Sequence, residues 1–266
     1  MKHTILSIFL LLFALTARAQ SCKAHYNDVA DSYNFWFYLP EEDERDVHRP
    51  LLIFLHGRSL CGTNLETVKR YGPMDALKYG NIIDSYILAP QNPGGSWKPE
   101  KIMRLIEWAE KHYKIDSNRI YVYGMSLGGY GTIDMCAAYP DRIAAGLAMC
   151  GGGTAKDFSG LSRLPMWIVH GTADRKVPVS ASDRVVDAIK ATGDSSRLIY
   201  TRMPGVDHGA LARVFYMKQT YDWLFSHSLQ DEGRAINRDF KITTENMKDA
   251  YKEIKNNAKG IEEAYE

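Results

Sequence analysis

The stretch YVYGMSLGGYG, residues 121–131, runs from aromatic and β-branched residues into glycines that surround one serine. The residues before the serine predict a buried strand, and those after it predict a helix that ends at Pro140. A strand, a GxSxG turn and a helix in this order are typical of a serine held in a strained backbone conformation. We predict that Ser126 is a nucleophile. Gly124 and Gly128 would then lie where strand and helix approach too closely for side chains.

The rest of the chain alternates apolar strand-like runs with helical periods. The predicted strands cover residues 33–39, 51–57, 85–90, 119–124, 144–150, 166–171 and 197–203. Helices are predicted from about Pro99, with Ser96 as a cap, and near residues 63–70, 126–139, 180–192 and 209–227. Strands that alternate with helices form a mostly parallel sheet covered by helices on both faces. The predicted fold class is therefore an open α/β sandwich.

Length and charge limit the classes of function. The chain has 266 residues, of which 45% are hydrophobic, and this suits one α/β domain. Its 33 basic and 32 acidic residues are interspersed and give a net charge of +1, so we expect neither a nucleic-acid partner nor a basic membrane-binding patch.

The first residues resemble an export signal. Lys2 precedes an apolar run that is too short for a membrane span, and the small-residue cleavage signal Ala17-Arg18-Ala19 follows. We predict a signal peptide over 1–19, a catalytic domain over 20–229 and a charged helical extension over 230–266. The mature protein would be periplasmic or extracellular, without stable membrane insertion. Lipidation at Cys22 is disfavoured because RAQSC lacks the usual apolar and small residues before the cysteine.

Four cysteines are compatible with export. Cys136 and Cys150 fall in predicted buried elements, so Cys22 and Cys61 are the first pair to test for a disulfide. The chain has no CxxC spacing, and we expect no metal site.

A serine hydroxyl needs a base, and histidine is the usual one. His208 follows the last predicted strand of the domain, whereas His56 and His170 end other strands and are interpreted as shaping loops. Asp174 follows a buried strand and would orient the histidine, giving the chain order Ser126, Asp174, His208 of an α/β-hydrolase. The alternative acid, Asp207, is interpreted mainly as a turn-former.

Acyl transfer also requires donors for the tetrahedral oxyanion. The backbone N–H of Leu127, just after the nucleophile, and that of Arg58, in the loop after LLIFLHG, are the predicted pair. The Arg58 guanidinium is then free either to meet an acidic substrate group or to pair with a surface carboxylate, and we favour the pairing.

At these residues the chain resembles the esterase branch of the α/β-hydrolase superfamily, specifically phospholipase/carboxylesterase, dienelactone hydrolase and feruloyl-esterase-like proteins. The blocks that carry this resemblance are LIFLHG, APQNPGGSW, IDSNRIYVYGMSLGGYGT, PDRIAAGLAMCGGG, PMWIVHGTADRKVPVSAS and MPGVDHGA. The resemblance spans roughly residues 50–227. It implies the same triad and oxyanion donors, no metal or cofactor, and Trp97 near the pocket mouth as a substrate-binding residue. A tryptophan that precedes a helix is equally compatible with a place in the core, and this alternative stays open. The loop between the strands near Cys150 and Met166 is too short for an inserted cap domain.

Two departures affect substrate preference. The loop after HG reads RSLCGTN instead of the GERG common in relatives, and Gly209-Ala210 follow the histidine where an aromatic residue is common. We expect an exported serine esterase, of feruloyl or acetyl esterase type, acting on small-molecule or polysaccharide-linked esters. A serine peptidase of prolyl-oligopeptidase-like type and a non-catalytic binder on a hydrolase scaffold are the alternatives.

The C-terminal segment has an apolar stripe with heptad-like spacing. Its members are Met247, Tyr251, Ile254, Ala258, Ile261 and Tyr265. The stripe predicts either a helix that docks on the domain or, less simply, a helix that forms a homodimer.

Overall fold

The computed structural model of the chain describes residues 21–40 and 47–265, with side chains described as far as residue 256. The expected signal peptide, residues 1–19, lies outside the described residues. Within the two described ranges, no helix has the length and apolar character needed to cross a bilayer.

In the part of the chain that the structure describes, eight strands form one sheet in the order β1-β2-β4-β3-β5-β6-β7-β8. They are β1 (Ser21–His25), β2 (Phe35–Leu39), β3 (Arg49–Leu55), β4 (Tyr86–Pro90), β5 (Ile115–Met125), β6 (Ala145–Met149), β7 (Met166–Gly171) and β8 (Leu198–Met203). The pairs β1–β2 and β2–β4 are antiparallel, and the others are parallel. This mostly parallel sheet confirms the predicted fold class.

Within residues 21–40 and 47–265, six α-helices cover the two faces of the sheet. They are α1 (Pro73–Lys78), α2 (Pro99–His112), α3 (Leu127–Ala138), α4 (Ser180–Ala191), α5 (Lys218–Phe225) and α6 (Thr244–Tyr265). Apolar residues of α2, α3 and α4 pack in one core layer, and those of α1, α5 and α6 pack in the other. Central strands buried on both faces explain the continuous aliphatic runs in the sequence.

The predicted elements differ from the observed ones in places where the apolar pattern is weak. Strand β1, SCKAH, was not expected because three of its five residues are exposed and it shows no alternation. The short helix α1 also had no predicted counterpart. The helix expected over 209–227 is divided into a 3₁₀ segment, Ala210–Tyr216, and α5. Ser96 does not cap α2, because the N-cap residue of this helix is Lys98. The backbone N–H of Lys98 donates a hydrogen bond to the Tyr33 hydroxyl.

The C-terminal segment packs on the main domain. Met247 and Ile254 of α6 are buried, and Met247 belongs to the same core layer as α5. The Arg213 guanidinium lies 4.5 Å from the ring centre of Tyr251. The described part of the apolar stripe therefore contacts the chain's own core.

Parallel strands bring distant loops to one edge of the sheet. Ser126 follows β5, Asp174 follows β7 and His208 follows β8, while Arg58 follows β3. Open α/β sheets bind ligands at this carboxyl edge. No cap domain is inserted between β6 and β7, where the chain carries a glycine run and a 3₁₀ turn, Ser159–Arg163.

Candidate active site

Ser126 occupies a sharp turn between β5 and α3. Its φ of 59° and ψ of −120° lie outside the usual regions for a residue with a side chain. A Cβ at Gly128 would lie 1.7 Å from the Leu55 carbonyl oxygen, and one at Gly124 would lie 2.4 Å from the Gly128 oxygen. These contacts confirm the predicted strain at Ser126 and the need for both glycines.

Asp174 and His208 are joined by a short hydrogen bond. His208 Nδ1 lies 2.6 Å from Asp174 Oδ2, and the aspartate side chain is fully buried. The other carboxylate oxygen accepts hydrogen bonds from the N–H groups of Lys176 and Val177. Burial acts to raise the pKa of Asp174, but hydrogen bonds from Val177, His208 and Lys176 outweigh it and hold the pKa below its usual value. Asp174 is therefore a carboxylate at neutral pH.

This carboxylate sets the histidine tautomer. Because Asp174 accepts the Nδ1 proton, Nε2 of a neutral His208 carries a free lone pair. His208 and Ser126 line the same cavity, which has a volume of about 630 Å³. Across the residues that the structure describes, no hydrogen bond joins the Ser126 hydroxyl to His208, and such contacts often tighten only when substrate binds.

The two residues whose backbone N–H groups are the predicted oxyanion donors each begin a helical turn beside the cavity. Leu127 is the first residue of α3, and Arg58 is the first residue of a 3₁₀ turn, Arg58–Leu60. Such first-turn N–H groups have no intrahelical acceptor. A Cβ at Gly57 would lie 3.4 Å from Ser126 Cβ, so the loop that carries Arg58 adjoins the nucleophile. Both predicted donors line the cavity.

The loop with Gly57 is fixed from behind by His56 and Trp97. His56 Nδ1 donates to the Gly57 oxygen at 2.8 Å, and its Nε2 accepts the Asn92 N–H at 3.1 Å. Burial lowers the pKa of His56 to about 4, so the imidazole is neutral. As interpreted from the sequence, His56 shapes a loop.

Trp97 does not lie at the cavity mouth as expected. It is 2% exposed, lies outside the cavity lining and donates its Nε1–H to the His56 carbonyl at 3.2 Å. The ring also fills the space left by Gly131. Trp97 is thus a core residue. It supports the site indirectly, because it holds the backbone of His56 in place.

The remaining candidates occupy supporting positions. His170 is buried, 3.4 Å from Asp174, and its Nε2 donates to the Val177 oxygen. Asp207 accepts the Ala210 N–H, which is the turn-forming role expected of it. Cys22 and Cys61 are both free thiols in the structure, so the expected first pair forms no disulfide there.

The Arg58 side chain is exposed beside the cavity. Among the described residues it forms no ion pair, whereas Arg49 pairs with Asp84. The favoured pairing of Arg58 with a surface carboxylate stays a prediction. Lys176 is a second exposed cation of the cavity lining.

One group of side chains could hold a metal ion. Ligand atoms of Cys150, Asp174 and His208 all lie within 4.8 Å of one another. Burial raises the pKa of the Cys150 thiol well above its usual value, and a neutral thiol is a poor metal ligand. The geometry therefore favours the hydrogen-bonded pair over a metal centre.

Comparison with known proteins supports the same superfamily. No protein-family model matches the chain. A probable acetylxylan esterase A from Aspergillus flavus is 36% identical over 69 residues, which are 26% of this chain and 22% of that protein. Poly(3-hydroxyalkanoate) depolymerase C from Paucimonas lemoignei is 29% identical over 124 residues, or 40% of this chain and 28% of that protein. The chain thus spans about a quarter of the length of these curated relatives.

Solved structures resemble the chain over most of its length. A thermostable esterase superposes with a TM-score of 0.66 at 26% identity, covering 79% of this chain and 63% of that one. The chain has the α/β-hydrolase fold. A feruloyl esterase module from Clostridium thermocellum shares this fold, with a TM-score of 0.60 at 16% identity, covering 80% of this chain and 90% of that one.

The sequence did not point to every residue that lines the cavity. Tyr71, Tyr130, Lys176 and Val177 line it beside the predicted residues. Lys176 and Val177 lie two and three residues after Asp174 in the chain, and this closeness could have predicted their place in the cavity lining. Tyr71 is 55 residues before Ser126 and follows no strand, so only the folded chain reveals its position.

Proposed function

We propose that the protein is a serine hydrolase that cleaves carboxylic esters through an acyl-enzyme. The observation that carries this proposal is the buried Asp174 carboxylate bonded to His208, on a cavity shared with Ser126. The esterase relatives and neighbours support the same reaction class.

The first chemical step forms a tetrahedral intermediate. Ser126 Oγ attacks the ester carbonyl carbon, and His208 Nε2 takes the hydroxyl proton as the new C–O bond forms. Asp174 stabilises the resulting imidazolium while it remains a carboxylate. The carbonyl electron pair moves to oxygen, where the N–H groups of Leu127 and Arg58 stabilise the negative charge.

The second half of the cycle reverses these roles. The intermediate expels the alcohol, which receives the proton from His208, and an acyl-enzyme remains on Ser126. Water then attacks the acyl carbon and gives its proton to His208. The second tetrahedral intermediate then breaks its bond to Ser126 Oγ, which takes the proton back from His208 as the acid leaves, so the cycle consumes only the ester and one water.

The substrate class is proposed from the open cavity. Without a cap between β6 and β7, the carboxyl edge of the sheet is open to bulky alcohol groups. Relatives named as acetylxylan esterases and a neighbour named as a feruloyl esterase module support acetyl or feruloyl esters, including esters linked to polysaccharides. We further propose export, on the strength of the signal-like residues 1–19.

The test uses short p-nitrophenyl esters and a fluorophosphonate probe. Wild-type protein should hydrolyse the esters and be labelled, and Ser126→Ala should lose both activities. Undiminished hydrolysis by Ser126→Ala would overturn the proposal. Matched ester and anilide substrates address the peptidase alternative, because a clear anilide preference would replace the ester assignment. A screen of acyl chain lengths and feruloyl esters then defines the acyl group.

A further inference from the structure

The hydroxyl of Tyr71 lies at the candidate oxyanion site. Its ring is held between two phenylalanines, with centroid distances of 6.0 Å to both Phe54 and Phe215. The next residue, Gly72, has a φ of 94°, and a Cβ there would lie 2.4 Å from the Phe54 ring. This glycine allows the backbone to turn sharply after Tyr71. The packing fixes the direction of the phenol.

The Tyr71 oxygen and the nucleophile border the same small space. A Cβ at Gly57 would lie 2.9 Å from Tyr71 Oη and 3.4 Å from Ser126 Cβ. Tyr71 also lines the cavity together with Arg58, Leu127 and His208. The phenol thus adjoins the loop that carries Arg58 and lines the same cavity as Leu127.

The hydrogen bonding of Tyr71 leaves its own proton available. The Gly57 N–H donates to Tyr71 Oη at 2.7 Å, so the oxygen acts as an acceptor in this contact. Ser59 supplies a second, side-chain hydrogen bond to the Tyr71 hydroxyl, and because this bond lowers the pKa of Tyr71 it acts as a bond donated to the phenol oxygen. Neither contact uses the phenol proton. Buried or half-buried hydroxyls usually find a partner, and here the partner's place is open to the cavity.

We propose that Tyr71 is a further catalytic residue, whose hydroxyl donates a third hydrogen bond to the oxyanion beside the N–H groups of Leu127 and Arg58. The proposal rests on the ester-hydrolase function above. No proton is transferred from the phenol. Burial raises the pKa of Tyr71, so the group stays protonated and remains a donor at neutral pH.

The same side chain has a second, positioning contact. By accepting the Gly57 N–H, it fixes the peptide that precedes Arg58. Loss of the phenol oxygen therefore removes the proposed Tyr71 donor and also loosens the loop that carries the Arg58 N–H. An experiment must separate these two effects.

The first experiment compares Tyr71→Phe with wild type on short p-nitrophenyl esters. Removing one oxyanion donor lowers kcat by about 10²–10³-fold, and we expect a loss of that order in kcat with a much smaller change in KM. Tyr200→Phe is the matched control, because it loses a phenol hydrogen bond to Asp183 outside the cavity lining. Thermal unfolding of each variant establishes that it is folded.

The second experiment places fluorotyrosines of increasing acidity at position 71. Fluorination makes the phenol a stronger donor and a weaker acceptor. A donor role predicts that kcat is retained or rises at a pH where the phenol is protonated, whereas a purely positioning role predicts that kcat falls. This series also replaces the first experiment if Tyr71→Phe does not fold.

The inference is overturned if Tyr71→Phe keeps kcat within about twofold of wild type, or if fluorination lowers kcat, while Ser126→Ala remains inactive. The ester-hydrolase function would stand in both cases. Absence of ester hydrolysis by the wild-type protein would instead overturn the proposed function.

Discussion

Asp174 accepts a hydrogen bond from His208 at 2.6 Å, although 34 residues separate the two in the chain. Strands β7 and β8 are parallel neighbours, so the loops after them meet at one edge of the sheet. The carboxylate is also fixed by two backbone N–H groups from its own loop. The imidazole is therefore oriented before any substrate arrives.

Replacing the acid should impair turnover without unfolding the protein. Asp174→Asn retains an oxygen for one acceptor contact but cannot stabilise an imidazolium or fix the tautomer. In serine proteases the same change lowers kcat by about 10⁴-fold, and we expect a loss of similar order here, measured with p-nitrophenyl esters.

Asp207→Asn is the matched control for this prediction. Asp207 adjoins His208, and its one contact among the described residues is the Ala210 N–H, which an asparagine oxygen can also accept. Its kcat should stay within about threefold of wild type, since surface substitutions usually have small effects. A large loss in this variant with a small loss in Asp174→Asn would reverse the assignment of the acid.

The close approach of α3 to β3 should make Gly128 intolerant of any side chain. A Cβ there would lie 1.7 Å from the Leu55 carbonyl oxygen, a backbone atom that cannot rotate away. Overpacking typically costs about 1–3 kcal/mol. We expect Gly128→Ala to lower the free energy of unfolding in urea by about 3 kcal/mol or more. Gly209→Ala is the control, because its Cβ would lie 3.7 Å from Asp207 Oδ1. Equal stability of the two variants would contradict the packing shown.

His56 should make stability fall with acidification. Its folded pKa of about 4 lies below its usual value of 6.5, so between these pH values the unfolded chain binds a proton that the native state does not. The contribution of the neutral His56 to the free energy of unfolding is fully present above about pH 6.5. It is lost as the pH falls towards 4, by about 3 kcal/mol in total.

The measurement is the free energy of unfolding in urea at several pH values. His56→Gln cannot titrate, so the stability difference between wild type and this variant should narrow between pH 7 and pH 4.5. A difference that stays constant over this range would show that the imidazole does not resist protonation in the native state.

The C-terminal helix should stabilise the domain within one chain. Met247 is 1% exposed, and truncation of a buried methionine to alanine costs about 2–5 kcal/mol. Lys248→Ala, at the exposed neighbouring position, should change stability by less than about 0.5 kcal/mol. The alternative role of this helix in a homodimer stays a prediction, and light scattering of wild type and of a chain ending at residue 243 tests it.

The sequence predicted much of the fold because its signals were local. The apolar runs at β3, β5 and β7 are continuous, since these strands are covered on both faces. Strand β1 lacked such a signal, because its residues pair through the backbone with β2 and remain mostly exposed. Trp97 was ambiguous for a related reason: an apolar side chain at a helix start is compatible with either core or cavity.

By itself, the sequence determined the strained turn at Ser126, since glycine spacing and a following helix are properties of neighbouring residues. The pairing of Asp174 with His208 could be named in advance from strand order, but its geometry depends on two loops that meet across β7 and β8. Only the tertiary structure decided that Trp97 supports His56 and that Tyr71 faces the cavity. Contacts of this kind depend on how separate elements pack in three dimensions, and no periodicity along the chain encodes them.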